Sequence, residues 1–208
     1  VLIDILLPEE KAPFKLSLWG PPEGIERYFL SASGQETTAE PLTGIEFIQD
    51  NAQVKRKALI ILGKVINDGQ IPARNVQIAA AIFDREDRII DVGAAYAARD
   101  LFVPGSISPF ALLIEPINGE PERYELIVHG QKAPDDEIAR LAHLELTSTN
   151  AHRSEKDALV LFGEVVNLDE ARAGSVKVFA ALYDEDDTLL DTGWTHIWAE
   201  VLEPGARS

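Results

Sequence analysis

Residues 58–105 constrain this chain more than any other stretch, because they are written a second time at 158–205 without an insertion or deletion. Gly63, Val65, Asn67, Val76, Asp84, Asp91, Gly93, Pro104 and Gly105 recur as Gly163, Val165, Asn167, Val176, Asp184, Asp191, Gly193, Pro204 and Gly205. Self-similarity at a fixed period sets the size of the folding unit. A shift of 96 residues reveals a further partial match, laying Pro8 on Pro104, Pro13-Phe14 on Pro109-Phe110, Glu26-Arg27-Tyr28 on Glu122-Arg123-Tyr124, Leu30 on Leu126 and Gly34-Gln35 on Gly130-Gln131. The first 35 residues therefore read as the back of a unit whose front appears at 58 and again at 158.

Within the unit the hydrophobic period is 2, the mark of half-buried strands. Val76, Ile78, Ala80 and Ile82 alternate with Gln77, and Val176, Val178, Ala180 and Leu182 alternate with Lys177, which names a core face in each copy. Strands are expected at 44–49, 58–67, 76–82, 88–92, 94–103, 110–115 and 123–128, with counterparts at 141–147 and 158–167. Asn67-Asp68-Gly69 and Asp84-Arg85-Glu86-Asp87 supply turn chemistry between them. About seven short strands, roughly 8 to 15 residues apart and without helical periodicity, indicate an all-β fold of antiparallel Ig-like sandwiches repeating every 96–100 residues. Residues 1–8 also alternate, with Ile3, Ile5 and Leu7 on one face and Asp4 on the other, and are expected to form a strand.

The polar, breaker-rich segments 35–41 and 131–137 read as linkers. Cut there, the chain divides into the back half of a sandwich (1–40), a complete sandwich (41–133) and the front half of another (134–208), so the repeat is out of phase with the chain ends. A half sandwich exposes its core and its strand edges, which is not tolerated in isolation. Three readings remain open. The chain is a window of a longer array, or its sandwiches are circularly permuted and close near 1–100 and 101–208, or residues 138–208 of one molecule are completed by residues 1–34 of the next. In the third reading the two halves leave from opposite poles of the central sandwich, roughly 25 Å apart for strands of 7 residues. A head-to-tail filament then follows from the heterologous contact.

Phe162-Gly163-Glu164-Val165-Val166-Asn167, then Phe179-Ala180-Ala181-Leu182-Tyr183-Asp184, then Glu203-Pro204-Gly205 resembles the FxLYD family of small bacterial and archaeal β-sandwich modules. Leu62-Gly63-Lys64-Val65-Ile66-Asn67, Ile82-Phe83-Asp84 and Val103-Pro104-Gly105 form a looser copy. The pattern departs from the family in an extra alanine between Phe179 and Leu182 and in Ala79, which stands where the phenylalanine falls. The resemblance implies a structural module of exported or cell-envelope proteins and transfers no catalytic motif.

Composition excludes several function classes. Thirty-five acidic against nineteen basic residues give a net charge of −16, so phosphate backbones and anionic lipid surfaces are repelled and nucleic acid is not an expected partner. No apolar run approaches the roughly 20 residues that span a bilayer. The chain opens at Val1 without a signal peptide and is expected to be a mature or excised form. The absence of cysteine removes disulfides, thiolate metal sites and thiol nucleophiles, and the accompanying absence of methionine suits an extracellular or cell-envelope protein.

No enzyme and no cofactor are expected. His129, His143, His152 and His196 lack paired metal-ligand spacing. Asp184, Asp186 and Asp187 form the densest carboxylate cluster and are the weak candidates for a calcium ion. A solvated hairpin tip is the competing reading, because Asp84-Arg85-Glu86-Asp87 puts an arginine in the same turn. Gly63 and Gly163 stand inside strands, where close packing or a bulge explains a glycine better than a ligand does. The copies differ informatively at Trp194, His196 and Trp198, which share one strand face with Glu200, whereas the other copy has Ala94, Tyr96 and Ala98. Two tryptophans on a solvent face make an aromatic platform for sugar rings or a protein partner; two packed inward belong to a core.

The function expected is a non-enzymatic extracellular or cell-surface structural module. It acts through neighbouring domains of an array or through head-to-tail self-association, with Ile3, Ile5, Phe14 and Tyr28 among the assembly residues. The alternative is a carbohydrate- or protein-binding adhesion module that uses Trp194 and Trp198.

Overall fold

The alternation of apolar and polar residues produces an all-β chain of antiparallel sheets. The computed structural model describes residues 5–38, 40–155 and 157–208. Two compact units divide the chain, one ending at Lys132 and the other running Ala133–Ser208.

The first unit holds β1 (Ile45–Lys55), β2 (Ala58–Asn67), β3 (Ala73–Phe83), β4 (Ile89–Tyr96), β5 (Leu101–Phe102), β6 (Ile107–Ile114) and β7 (Arg123–Lys132). One sheet has the order β1-β2-β6. In the other, β3 is central, since Ala79 faces Ala94 of β4 on one side and Ile127 of β7 on the other, while β5 pairs with the start of β3. The alternating residues Val76, Ile78, Ala80 and Ile82 turn inward to meet Leu59, Ile61 and Val65 of β2 and Phe110, Leu112 and Ile114 of β6 in one core. Each such side chain, fully buried, contributes about 1.5–3 kcal/mol.

Turns are set by short polar side chains. Asn67, wholly buried, donates from Nδ2 to Phe102 O (2.7 Å) and Ile71 O (3.0 Å) and accepts from Gly69 N–H (3.1 Å). It thereby ties the end of β2 to the loop that follows it and to β5. Asp84 caps the β3–β4 turn by accepting from the N–H groups of Glu86 and Arg88. The expected break between strands at Gly93 does not occur, and β4 runs through it to Tyr96. The break falls at residues 97–100, between β4 and β5: Ala97 N–H still donates to Val76 O, and Ala98 N–H donates to Pro109 O.

Among the described residues up to 44, none lies in a strand. The strand expected at residues 1–8 is therefore corrected for 5–8, because no neighbouring strand pairs with this segment; Ile3 and the rest of 1–4 lie outside the described residues. Phe14, Leu16, Leu18, Trp19, Tyr28, Phe29 and Leu30 are all exposed.

The second unit begins with a short helix, α1 (Asp135–Ile138), inside the segment expected to be a plain linker. It continues as β8 (Leu144–Arg153), β9 (Leu159–Asn167), β10 (Ala173–Gly174), β11 (Lys177–Tyr183), β12 (Leu189–His196) and β13 (Val201–Leu202). These form three two-stranded sheets, β8-β9, β10-β13 and β11-β12. The β11–β12 register is that of β3–β4 moved by 100 residues, Phe179 facing Trp194 where Ala79 faces Ala94. The buried core cluster consists of Val165, Ala173, Val176 and Leu202, and Val166 and Leu189 are buried as well. Among the described residues, this unit has no strands corresponding to β6 and β7.

Candidate functional site

The most distinctive surface of the molecule is the uncovered inner side of the second unit. β9 aligns with β2 without a gap, yet their environments diverge. Leu159, Leu161 and Phe162 are 42%, 46% and 49% exposed, whereas Leu59, Ile61 and Leu62 are 2%, 0% and 2% exposed. In the first unit β2 is flanked by β6 through eight residue pairs from Leu59–Ile114 to Ile66–Ile107. In the second, the corresponding edge of β9 is met by the residues that close the chain. Asn167 N–H donates to Ala206 O (3.2 Å), Val165 N–H to Ser208 O (2.8 Å) and Ser208 N–H to Val165 O (3.0 Å), with Arg207 opposite Val166. From Glu164 back to Leu159 that edge has no strand partner among the described residues. The face can do one kind of chemistry, accepting backbone hydrogen bonds and apolar side chains from an added strand.

Two pairs of repeated glycines differ between the units. In the first unit a Cβ on Gly63 would lie 2.5 Å from ring carbons of Phe110, and one on Gly93 would lie 2.6 Å from Ile114 and 2.8 Å from Leu112. A Cβ on Gly163 would meet Thr147 and Thr149 of the adjoining strand, and one on Gly193 would meet no atom within 4 Å. Gly163 is thus still crowded by the neighbouring strand, whereas Gly193 is open.

The outer face of the β11–β12 sheet carries the aromatic cluster. Trp194 is 61% exposed and stands directly opposite Phe179. The His196 ring meets it edge-on at 5.4 Å, and the Lys177 ammonium lies 4.8 Å from its ring centroid. Lys177 faces His196 across the strands, so the hairpin turn brings all four side chains together. The sequence assigns Lys177 and Phe179 only strand roles, although counting back through the turn at Asp184 pairs them with the aromatic strand. Trp198 does not extend the row. β12 ends at His196, a bend follows, and the Trp198 side chain stands fully in solvent. The face shared by Trp198 and Glu200 is corrected accordingly, since the alternation ends with the strand.

The acidic loop is a turn cap. Asp184 Oδ1 accepts from the N–H groups of Asp186 (3.0 Å) and Thr188 (2.8 Å), and Asp187 adopts a φ of 60°. This duplicates the Asp84 turn, where the Arg88 guanidinium holds the Asp84 carboxyl below the usual carboxylate range, chiefly by a side-chain hydrogen bond. Among the described residues, no group of three or more His, Cys, Asp or Glu side chains is arranged to hold a metal ion. No helix of the described residues is long and apolar enough to cross a membrane.

The remaining candidates lie in the first unit. Ile5 is half-buried and, with Leu42, Gln77, Tyr96, His129 and Lys132, lines a cleft of about 570 Å³. Phe14 and Tyr28 project into solvent. Between them and the sheet, Lys15 Nζ sits 2.7 Å from Asp91 Oδ1, whose carboxylate also accepts from Val92 N–H and from Asn118. The sequence did not signal this contact, which joins residues 76 positions apart. The histidines serve separate contacts: His129 lies 3.7 Å from Glu10, His152 packs on Phe162, and His196 packs on Trp194.

Set against known proteins, the chain finds no match among family models, curated proteins or solved structures.

Proposed function

We propose that the chain is a non-enzymatic structural module of tandem Ig-like sandwich units, similar to FxLYD modules and acting outside the cell or in its envelope. It joins to copies of itself head to tail, residues 1–34 of one chain completing residues 138–208 of the next by strand complementation. The observation that carries this reading is the exposure of Leu159, Leu161 and Phe162 at positions where the first unit buries Leu59, Ile61 and Leu62. The exposed Phe14, Leu16, Leu18, Tyr28 and Leu30 supply the complementary apolar surface. An apolar patch of this kind on a strand edge marks an association site. Size-exclusion chromatography with light scattering tests it: concentration-dependent oligomers are expected, and a strictly monomeric, cooperatively folding chain overturns the reading.

A second reading rests on a different face. Exposed Trp194, flanked by Phe179, His196 and Lys177, forms a platform on which a sugar ring can stack. A glycan array probed with the full chain tests it, and an array without binding dismisses it.

A further inference from the structure

The outer side of the β4-β3-β7 layer carries a cleft that head-to-tail assembly does not use. Gln77 of β3 faces Tyr96 of β4 on one side and His129 of β7 on the other, so the three side chains stand in one row across paired strands. Alternation places this row opposite the core face of Val76 and Ile78. The ladder shifts register between Arg74 and Gln77, and there Asn75 takes a φ of 50° and donates from Nδ2 to Gln131 Oε1 (3.0 Å). Both amides line the same cleft as the row. Pro41 and Leu42, which lead into β1, and Ile71 of the β2–β3 loop add apolar walls. The volume of about 570 Å³ lies within the roughly 300–1,000 Å³ of small-molecule sites.

The lining chemistry selects a class of ligand. Asn75, Gln77 and Gln131 present carboxamides, and a carboxamide both donates and accepts, as a sugar hydroxyl does. Tyr96 is 58% exposed, which leaves its ring open to stacking by the apolar face of a pyranose. Glu40 and Lys132 offset each other in charge, so the lining does not select an ion. His129 Nε2 is buried without a hydrogen-bond partner, with Glu10 Oε1 3.7 Å away, and is polar capacity that the described residues leave unused. β3 is paired on both sides, so its backbone groups are engaged and recognition falls to side chains rather than to an added strand.

From this row and these amides we infer that the cleft binds a neutral saccharide of one or two rings. The ring of Tyr96 stacks against one sugar face, and the amides of Asn75 and Gln77 bond its hydroxyls. The site lies wholly in the first unit, needs no second copy and shares no residue with the Trp194 cluster. It therefore stands or falls independently of head-to-tail assembly.

Titration calorimetry of the full chain with glucose, galactose, mannose, N-acetylglucosamine, cellobiose and maltose tests this, with glucuronic acid as the charged comparison. At least one neutral sugar is expected to bind, and more tightly than glucuronic acid. Gln77→Ala and Tyr96→Ala are each expected to weaken that binding by about tenfold, the equivalent of one or two lost hydrogen bonds or a lost stacking contact. Circular dichroism and melting show whether each variant keeps its sheet, and Asn75→Ala, at an exposed position, replaces whichever of them does not. Trp194→Ala is expected to leave the affinity unchanged. Absence of binding by every neutral sugar, tighter binding of glucuronic acid, or binding that survives the cleft substitutions overturns the inference. Binding lost in Trp194→Ala but kept in the cleft variants overturns it too and puts the sugar on the aromatic cluster of the second unit.

Discussion

The Phe110 ring lies against Gly63, its Cε1 and Cζ atoms each 2.5 Å from the point where a Cβ on that glycine would stand. This contact joins β2 to β6 at a paired position and explains why the first of the two repeated strand glycines has no side chain. Gly163 occupies the same place without the aromatic ring.

Any side chain at position 63 therefore displaces the ring. Gly63→Val is expected to destabilise the first unit by about 1–3 kcal/mol through overpacking, and Phe110→Ala by about 3–5 kcal/mol through the cavity it leaves. Urea denaturation followed by circular dichroism measures both. The two losses should fall short of adding in the double variant, because Phe110→Ala vacates the space that the valine then occupies.

Much of this architecture was legible because strand periodicity is local. Val76, Ile78, Ala80 and Ile82 were named as an inward face from alternation alone and they form part of the core. The repeat likewise located Asn67 and Asn167, though their reach to carbonyls 35 residues away is a tertiary fact with no local signal. The end of β12 at His196 was not legible, since the apolar alternation runs on to Trp198 while the backbone bends away to change sheet. At Gly93 a breaker residue was read as a boundary, whereas Ile114 and Leu112 pack where its side chain would be and hold the strand through it. The acceptor face depends on which strand a given edge lacks, and only the comparison of Leu159 with Leu59 in three dimensions exposes that.

Asn67 and Asn167 hold equivalent turns in the two units. Asn167 Nδ2 donates to Ala171 O (2.8 Å) and Leu202 O (3.0 Å), and its Oδ1 accepts from Asp169 N–H (3.0 Å). Replacing either asparagine with alanine leaves these groups unpaired, at about 1–3 kcal/mol for each one that stays buried. Asn67→Asp should be nearly as damaging, because a carboxylate cannot donate to the carbonyls of Ile71 and Phe102. Chemical denaturation of the full chain measures these losses, and a variant within error of the parent would sink the assignment.

Tyr124 gives the first unit an alkaline limit. Its hydroxyl donates to Asp50 Oδ2 at 2.5 Å, and its pKa is pushed from 10.0 up to about 12, first by burial and then by the Asp50 carboxylate. The folded state holds this proton more tightly than the unfolded one. The contribution is therefore fully present below pH 10 and is lost as pH rises from 10 to about 12. Stability should decline across that window, and Tyr124→Phe should flatten the decline. Urea midpoints measured at steps between pH 9 and pH 12 for both proteins decide the matter, and identical slopes would count against it.

The aromatic face of the second unit makes its own optical prediction. Trp19, Trp194 and Trp198 are 93%, 61% and 101% exposed, so native emission should be red-shifted and acrylamide should quench all three indoles before any denaturant is added. Trp194 should be the most protected, because Lys177 and His196 cover part of its ring and Phe179 stands opposite. A chain with Trp19→Phe and Trp198→Phe isolates that signal. Trp194→Ala should cost little stability, since an exposed side chain with one cation contact contributes on the order of 0.5–1 kcal/mol. If the cluster is a sugar platform, the same substitution removes binding while leaving head-to-tail assembly intact, because Trp194 lies on β12 and the exposed apolar residues of the proposed association surface lie on β9. Shielded, blue-shifted tryptophans in the free chain would instead place Trp194 in a packed interior and end the platform reading.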